Sequence, residues 1–370
     1  MIAAREPRQR APDAKLLVIA ADGSLTHAAR ADLIDFLRCG DLVIANDAAT
    51  LPASLHGVHV STGAAIEVRL AGWLARGAAD PRRCVAIVFG PGDFRTRTED
   101  RPLPPALAAG DRLVLGPLAA VVELTLGHPR LIALRFDGSA SEVWAGLARH
   151  GRPIQYAHMP VPLALWDVWT PIAGPPVAFE PPSAGFALDW KLLAALRERG
   201  IGFATLTHAA GISSTGDAEL DRRLPFDEPY RIPASTARAI RRTQARRGRI
   251  IAVGTTVVRA LEHAASLGAE LRQGAGIAKQ RIGAGTRLRV VDAVLSGAHE
   301  PGSSHHDLLR AFTDDATLRA ANAALDAHRY RTHEFGDSML VERRGRCVSC
   351  WRESTERAAA RCRVQLAEIM

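Results

Sequence analysis

The sequence predicts an α/β protein, a mostly parallel sheet domain carrying an inserted small β-barrel domain. Three observations point there. Strand-like and helix-like segments alternate near the start of the chain and again from Lys191 onward, the pattern of a parallel sheet with helices on its faces. Between them lie five short apolar runs broken by Gly, Pro and Asp, the pattern of a small barrel or sandwich. With 370 residues, 47% of them hydrophobic and 23% charged, the chain has material for two cores, since one domain takes roughly 100–200 residues.

The elements follow in order. KLLVIAADGSLTHA (15–28) reads as a strand and turn, RADLIDFLRCG (30–40) as a helix, and DLVIANDAATL (41–51) as a buried strand ending in polar residues. IEVRLAGW, CVAIVFG, RLVLG, AVVELTLG and LIALRFDG, between Ile66 and Gly138, are the barrel strands, and SEVWAGLARHG returns the chain to helix. The Pro-rich stretch from Pro160 to Pro182 is expected to be irregular surface chain. After it come helix KLLAALRERG, strand IGFATLTHAA, helix STARAIRRTQARRG, strand RIIAVGTT and helix VVRALEHAASLG. Residues 1–60 and 151–341 are thus expected to form one discontinuous α/β catalytic domain, 61–150 the barrel and 342–370 a tail.

The net charge of +8 is largely arginine. The cluster from Arg238 to Arg249 suits a phosphodiester backbone and equally suits a solvated helix face. No apolar run approaches the roughly 20 residues of a membrane helix, and no signal-type segment opens the chain, so a cytoplasmic protein without membrane attachment is expected. Cys347 and Cys350 form a C-x-x-C with Cys362 beyond, but no fourth zinc ligand follows. No metal is expected, and the thiols read as surface groups in a reducing compartment.

In an open α/β sheet, ligands bind where strands end and helices begin. VGTT lies at such a junction: Gly254 permits close backbone approach, and Thr255 and Thr256 either cap the helix or offer hydroxyls to a ligand. Arg259, one turn on, suits a carboxylate or the surface. Asn46 and Asp47 end another strand, and Asp337 follows His333 and Glu334. HEPGSSHH gathers His299, Glu300, Ser303, Ser304, His305 and His306.

GDLVIANDAATLPASLHG, PSAG, THAAGISS, RIIAVGTTVVRALE, VVDAVLSGAHEPGSSH and YRTHEFGDSMLV occur in the order seen in the S-adenosylmethionine:tRNA ribosyltransferase-isomerase family of queuosine biosynthesis, which the chain resembles from about Ala4 to Val341. AVGTTVVRALE is the most specific piece. The resemblance implies an α/β domain carrying an inserted β-barrel, with S-adenosylmethionine as cosubstrate. It also implies transfer of the ribosyl part to the aminomethyl arm of a 7-deazaguanine in a tRNA anticodon, where it becomes an epoxy-cyclopentanediol as adenine and methionine leave. The sulfonium acidifies the C5′ protons, so the protein must supply a base, anionic or aromatic partners for the sulfonium, and a holder for adenine.

On that footing His208 or His299 is expected to accept the C5′ proton, while Asp47 and Asp337 orient that base or the ribose hydroxyls. Gly254, Thr255, Thr256, Asn46 and Ser303 would contact the cosubstrate, with Arg259 on the methionine carboxylate. The wording also departs from the family. P-T-A-G-L-H-F becomes Pro182 to Leu188 with alanine at the histidine, N-D-T-R-V becomes Asn46 to Thr50 without its arginine, and N-F-H-L-P-K-S-T becomes Gly297 to Ser304 without its lysine. The E-H-x-M-H-S-E segment has no counterpart. A retained cosubstrate and an altered acceptor are therefore expected, either tRNA or a small deazapurine or other metabolite. The rival classes are an enzyme that cleaves S-adenosylmethionine with a small acceptor or none, and a non-catalytic RNA-binding relative. A methyltransferase lacks its glycine-rich fingerprint after the first strand.

Overall fold

The computed structural model describes residues 1–74, 80–268 and 270–345. The C-x-x-C pair, Cys362 and the tail beyond Gly345 lie outside the described residues. A nine-stranded sheet organises the α/β part. Its spatial order is Gly274–Ala278, Glu228–Ile232, Gly202–His208, Leu42–Asn46, Ile250–Val253, Ala293–Gly297, Ser338–Glu342, Lys15–Ile19 and Leu25–Ala29. The four strands from Gly202–His208 to Ala293–Gly297 run parallel, and antiparallel pairings appear among the outer strands.

Every residue of Leu42–Asn46 is buried, as a strand covered on both faces requires. Ile44 belongs to a core with Leu206, Val257 and Leu261; Val43 and Ala45 belong to another with Leu188 and Leu196. The helices Ala234–Ala245 and Thr255–Ser266 bury apolar residues at helical spacing.

Three segments depart from expectation. Residues 30–40 form a 3-10 helix over Arg30–Phe36 only, closed at an extended Leu37. Leu33 is its one buried residue, too little apolar surface to hold a longer helix. The Pro-rich stretch carries the short helix Leu165–Val168 and the strand Pro176–Ala178, which pairs with Ala49–Thr50. Cys84 is wholly buried rather than a surface thiol, and burial pushes its pKa up.

The barrel is closed by six antiparallel strands, in order Leu118–His128, Leu131–Phe136, Arg83–Phe89, Ala65–Trp73, Ser54–His59 and Arg112–Leu115. Five correspond to the apolar runs. The sixth, SLHGVH, begins at Ser54 and alternates poorly. It depends on Gly57, where a Cβ would lie 2.0 Å from the Val114 carbonyl oxygen. The barrel core also takes in Phe179, Ala209, Ile212, Leu220 and Leu224 from the α/β part. Trp73 clasps that region: its ring sits 4.9 Å from Phe179, and its Nε1 donates to the Val177 carbonyl at 2.8 Å. No helix among the described residues is long and apolar enough to cross a membrane.

Candidate active site

The strand Ile250–Val253 runs into Gly254, whose φ of 97° and ψ of 153° belong to a region essentially reserved for glycine. Its N–H donates to the Leu295 carbonyl at 2.8 Å, and the helix starts at Thr255. Over this turn opens a cleft of about 400 Å³, within the size range of small-molecule sites. Gly254, Thr255 and Thr256 form its floor, with Gly297 and His299 from the end of the next strand. Glu180 to Ala184 and Ala210 to Ser213 complete the lining; Ile212 and the neighbouring Phe179 and Ala209 belong to the barrel core, whereas Ala184 packs on the sheet core beside Gly254.

Of the ten residues assigned a role from the sequence, Gly254, Thr255, Thr256, Arg259 and His299 line the cleft. Arg259 is nevertheless heavily committed. It pairs with Glu228 and donates to the carbonyls of Ala278 at 3.0 Å, Phe226 at 3.3 Å and Gln280 at 3.4 Å. Ser303 caps the helix Ser304–Leu309, accepting from the His306 N–H and donating to the Glu300 carbonyl; Ser304 takes the lining position instead.

The other four stand behind the walls. The Asn46 amide accepts from the His208 and Ala48 N–H groups and donates to the His208 carbonyl and the Thr256 hydroxyl. Asp47 accepts from the Thr205 and Thr207 hydroxyls at 2.8 and 2.7 Å, one on each oxygen. Asp337 accepts from the backbone N–H groups of Lys15 and Arg331 and from the Arg331 guanidinium. His208 is fully buried; its Nε2 lies 3.3 Å from Glu228, and neither ring nitrogen has hydrogen-bond geometry to a partner. Burial, then the charge of Arg259, holds its pKa well below the usual imidazole range.

At the cleft, His299 stacks on His305 with ring centroids 4.6 Å apart. Burial and the neighbouring histidines push its pKa well down, so the ring is neutral near pH 7. A second stack joins Tyr156, His158 and His333, with 4.0 Å between the two imidazoles, and His158 Nε2 lies 3.0 Å from Glu334. Tyr156 donates its hydroxyl to Glu180, whose other oxygen accepts from the Ser213 N–H at 3.0 Å. Burial raises the Glu180 pKa to about 7; its hydrogen bonds oppose the rise, and nearby Glu334 adds to it.

Glu180, Tyr156 and His158 are absent from the sequence-derived set. One signal was present: Glu180 is the only charged residue between Asp167 and Asp189, inside an apolar, proline-flanked stretch. A lone charge there requires either exposure or a designed pocket. Among the described residues, no group of three or more His, Cys, Asp or Glu is placed to hold a metal ion.

A family model described as queuosine biosynthesis protein matches residues 1–341. The chain belongs to that family. A relative from Synechococcus elongatus is 33% identical over 91% of this chain and 90% of its own length. One from Ralstonia nicotianae is 35% identical over 85% and 83%. Both carry the name S-adenosylmethionine:tRNA ribosyltransferase-isomerase. A crystal structure of the S-adenosylmethionine tRNA ribosyltransferase from Thermotoga maritima aligns over 92% of this chain and 95% of that one, at 25% identity and a TM-score of 0.47.

Proposed function

We propose that this family member is an S-adenosylmethionine-dependent ribosyltransferase-isomerase that acts on a 7-deazaguanine in tRNA and releases adenine and methionine. Relatedness to enzymes of that name along nearly the whole chain carries the reading. The cleft supports it, because it offers what the substrate chemistry asks for. The Gly254 turn lets backbone approach a ligand, the threonine hydroxyls are donors for ribose or carboxylate oxygens, and the neutral imidazole of His299 is a hydrogen-bond partner for sugar or base. A carboxylate wall at Glu180 suits a sulfonium.

In this reading Asn46, Asp47 and Asp337 are positioning residues. Asn46 sets the Thr256 hydroxyl, and the two aspartates fix the strand ends from which the cleft is built. Arg259 braces the helix Thr255–Ser266 against Glu228 and keeps at most one edge for a ligand carboxylate. His208, sealed behind that ion pair, supports the wall rather than meeting substrate.

The deciding assay incubates the pure protein with S-adenosylmethionine, with and without tRNA carrying the unmodified deazaguanine, and measures adenine and methionine by mass spectrometry. Release that depends on tRNA is expected. Release with a free deazapurine, or with no acceptor, would redirect the reading to a small-molecule enzyme. No adenine under any condition would leave a binding relative.

A further inference from the structure

Glu180, Glu228, His299, His305 and Asp307 are the carboxyl and imidazole groups of the cleft lining; Glu228 is spent on Arg259 and Asp307 lies 3.9 Å from Arg310, and the function needs one base. We propose that Glu180 is that base, accepting the proton from the sugar carbon bonded to the sulfonium; this rests on the reading of the protein as an enzyme that consumes S-adenosylmethionine. His299 is a poor rival because its half-buried ring, stacked on His305 amid other histidines, has little affinity for a proton. His208 has no access.

Glu180 is held as a base must be. Tyr156 donates to one carboxylate oxygen and the Ser213 N–H to the other, which fixes the group and leaves a lone pair on each oxygen. The side chain is also among the lining of a second, much smaller cavity shared with Tyr156, His158 and Glu334, so water is nearly excluded around it. Its charged surroundings come from two directions. Glu334 precedes the strand Ser338–Glu342 and is paired with His158. Arg69, from the barrel strand Ala65–Trp73, lies behind the Tyr156 ring at 5.6 Å. Burial and Glu334 together bring its proton affinity to near neutrality, which suits a base working near pH 7.

The step balances within the site. The C5′–H bond breaks and its electron pair stays on the carbon beside the positive sulfur. The proton forms an O–H bond on Glu180, whose carboxylate becomes a neutral acid. The carbon's pair forms a C4′=C5′ double bond as the C4′–O4′ bond breaks, the ring oxygen's pair forms C1′=O as the C1′–N9 bond breaks, and adenine N9 takes that bond's pair together with the Glu180 proton, which restores the carboxylate.

The test compares wild type, E180Q and E334Q in the adenine-release assay across pH. Wild-type kcat is expected to rise through an ionisation near the value of about 7 for Glu180. E180Q is expected to lose at least about a hundredfold in kcat while still binding S-adenosylmethionine saturably by calorimetry. E334Q is expected to move the ionisation to lower pH, since it removes a negative neighbour; a merely structural Glu334 would not. Equal turnover by wild type and E180Q, or an unmoved ionisation in E334Q, overturns the assignment and leaves the function standing. Absence of adenine from wild type overturns both. Difference infrared spectroscopy adds a readout independent of turnover: a protonated carboxyl band titrating near neutrality is expected in wild type and lost in E180Q, and its persistence in E180Q would refute the assignment.

Discussion

A single amide, that of Asn46, makes four hydrogen bonds where two parallel strands end: two with the His208 backbone, one with Ala48 and one with Thr256. Asn46→Ala would strand the His208 and Ala48 N–H groups in a buried place, while the His208 carbonyl keeps the Ala210 N–H, and an orphaned buried polar group costs about 1–3 kcal/mol. The variant is expected to lose about 2–4 kcal/mol in urea denaturation, together with affinity for S-adenosylmethionine through the released Thr256 hydroxyl. Sequence placed Asn46 at the correct strand end, yet its partners are set by register between strands more than 150 residues apart, which no local pattern carries. The same holds for Asp47, Arg259 and Asp337, polar residues near the site whose hydrogen-bonding atoms are largely spent on scaffold. Glu180 is the converse: it lies in a stretch without periodicity, and only the tertiary arrangement gives it Tyr156 and Ser213 as partners.

The turn and helix of AVGTTVVRALE divide their labour by position. Gly254, Thr255 and Thr256 face the cleft, whereas Arg259 locks onto Glu228 and Glu262 accepts the N–H groups of Arg289, Val290 and Val291 at 2.7, 2.9 and 2.8 Å. Gly254→Ala tests the first group. An added Cβ meets nothing closer than 3.5 Å, so the penalty is torsional, about 1–3 kcal/mol for a backbone that a side chain rarely adopts. A melting temperature lowered accordingly and a weakened binding of S-adenosylmethionine are expected, and differential scanning fluorimetry with and without the ligand reads both. Elements that are largely apolar along their length, such as Thr255–Ser266 and Leu131–Phe136, were legible because nearly every residue is buried and the signal is local. Residues 30–40 were not, because Leu33 and Leu37 mimic helical spacing while the chain needs only a short turn. The strand Ser54–His59 was hidden by its polar residues, and barrel closure alone gives it a place.

Across the molecule, the sheet supplies the floor of the cleft at Gly254 and Gly297, and the barrel core supports the wall segments that hold Glu180 and Ile212. Trp73 is the fastening: its tilted ring contact with Phe179 and hydrogen bond to Val177 fix the chain immediately before Glu180. Trp73→Ala is expected to destabilise by about 3–5 kcal/mol, the range for a large aromatic removed from a core. It should also lower kcat more than it weakens cosubstrate binding, which steady-state kinetics and calorimetry separate. The α/β sheet with its barrel was legible because short apolar runs replace the strand–helix alternation between Ile66 and Asp137, but the barrel strand Ser54–His59, before that stretch, and the wall's share in both cores were not. A molecule seated between floor and wall therefore acts as a noncovalent tie between two hydrophobic cores, and how cooperatively the chain unfolds becomes a property of the complex as well as of the sequence.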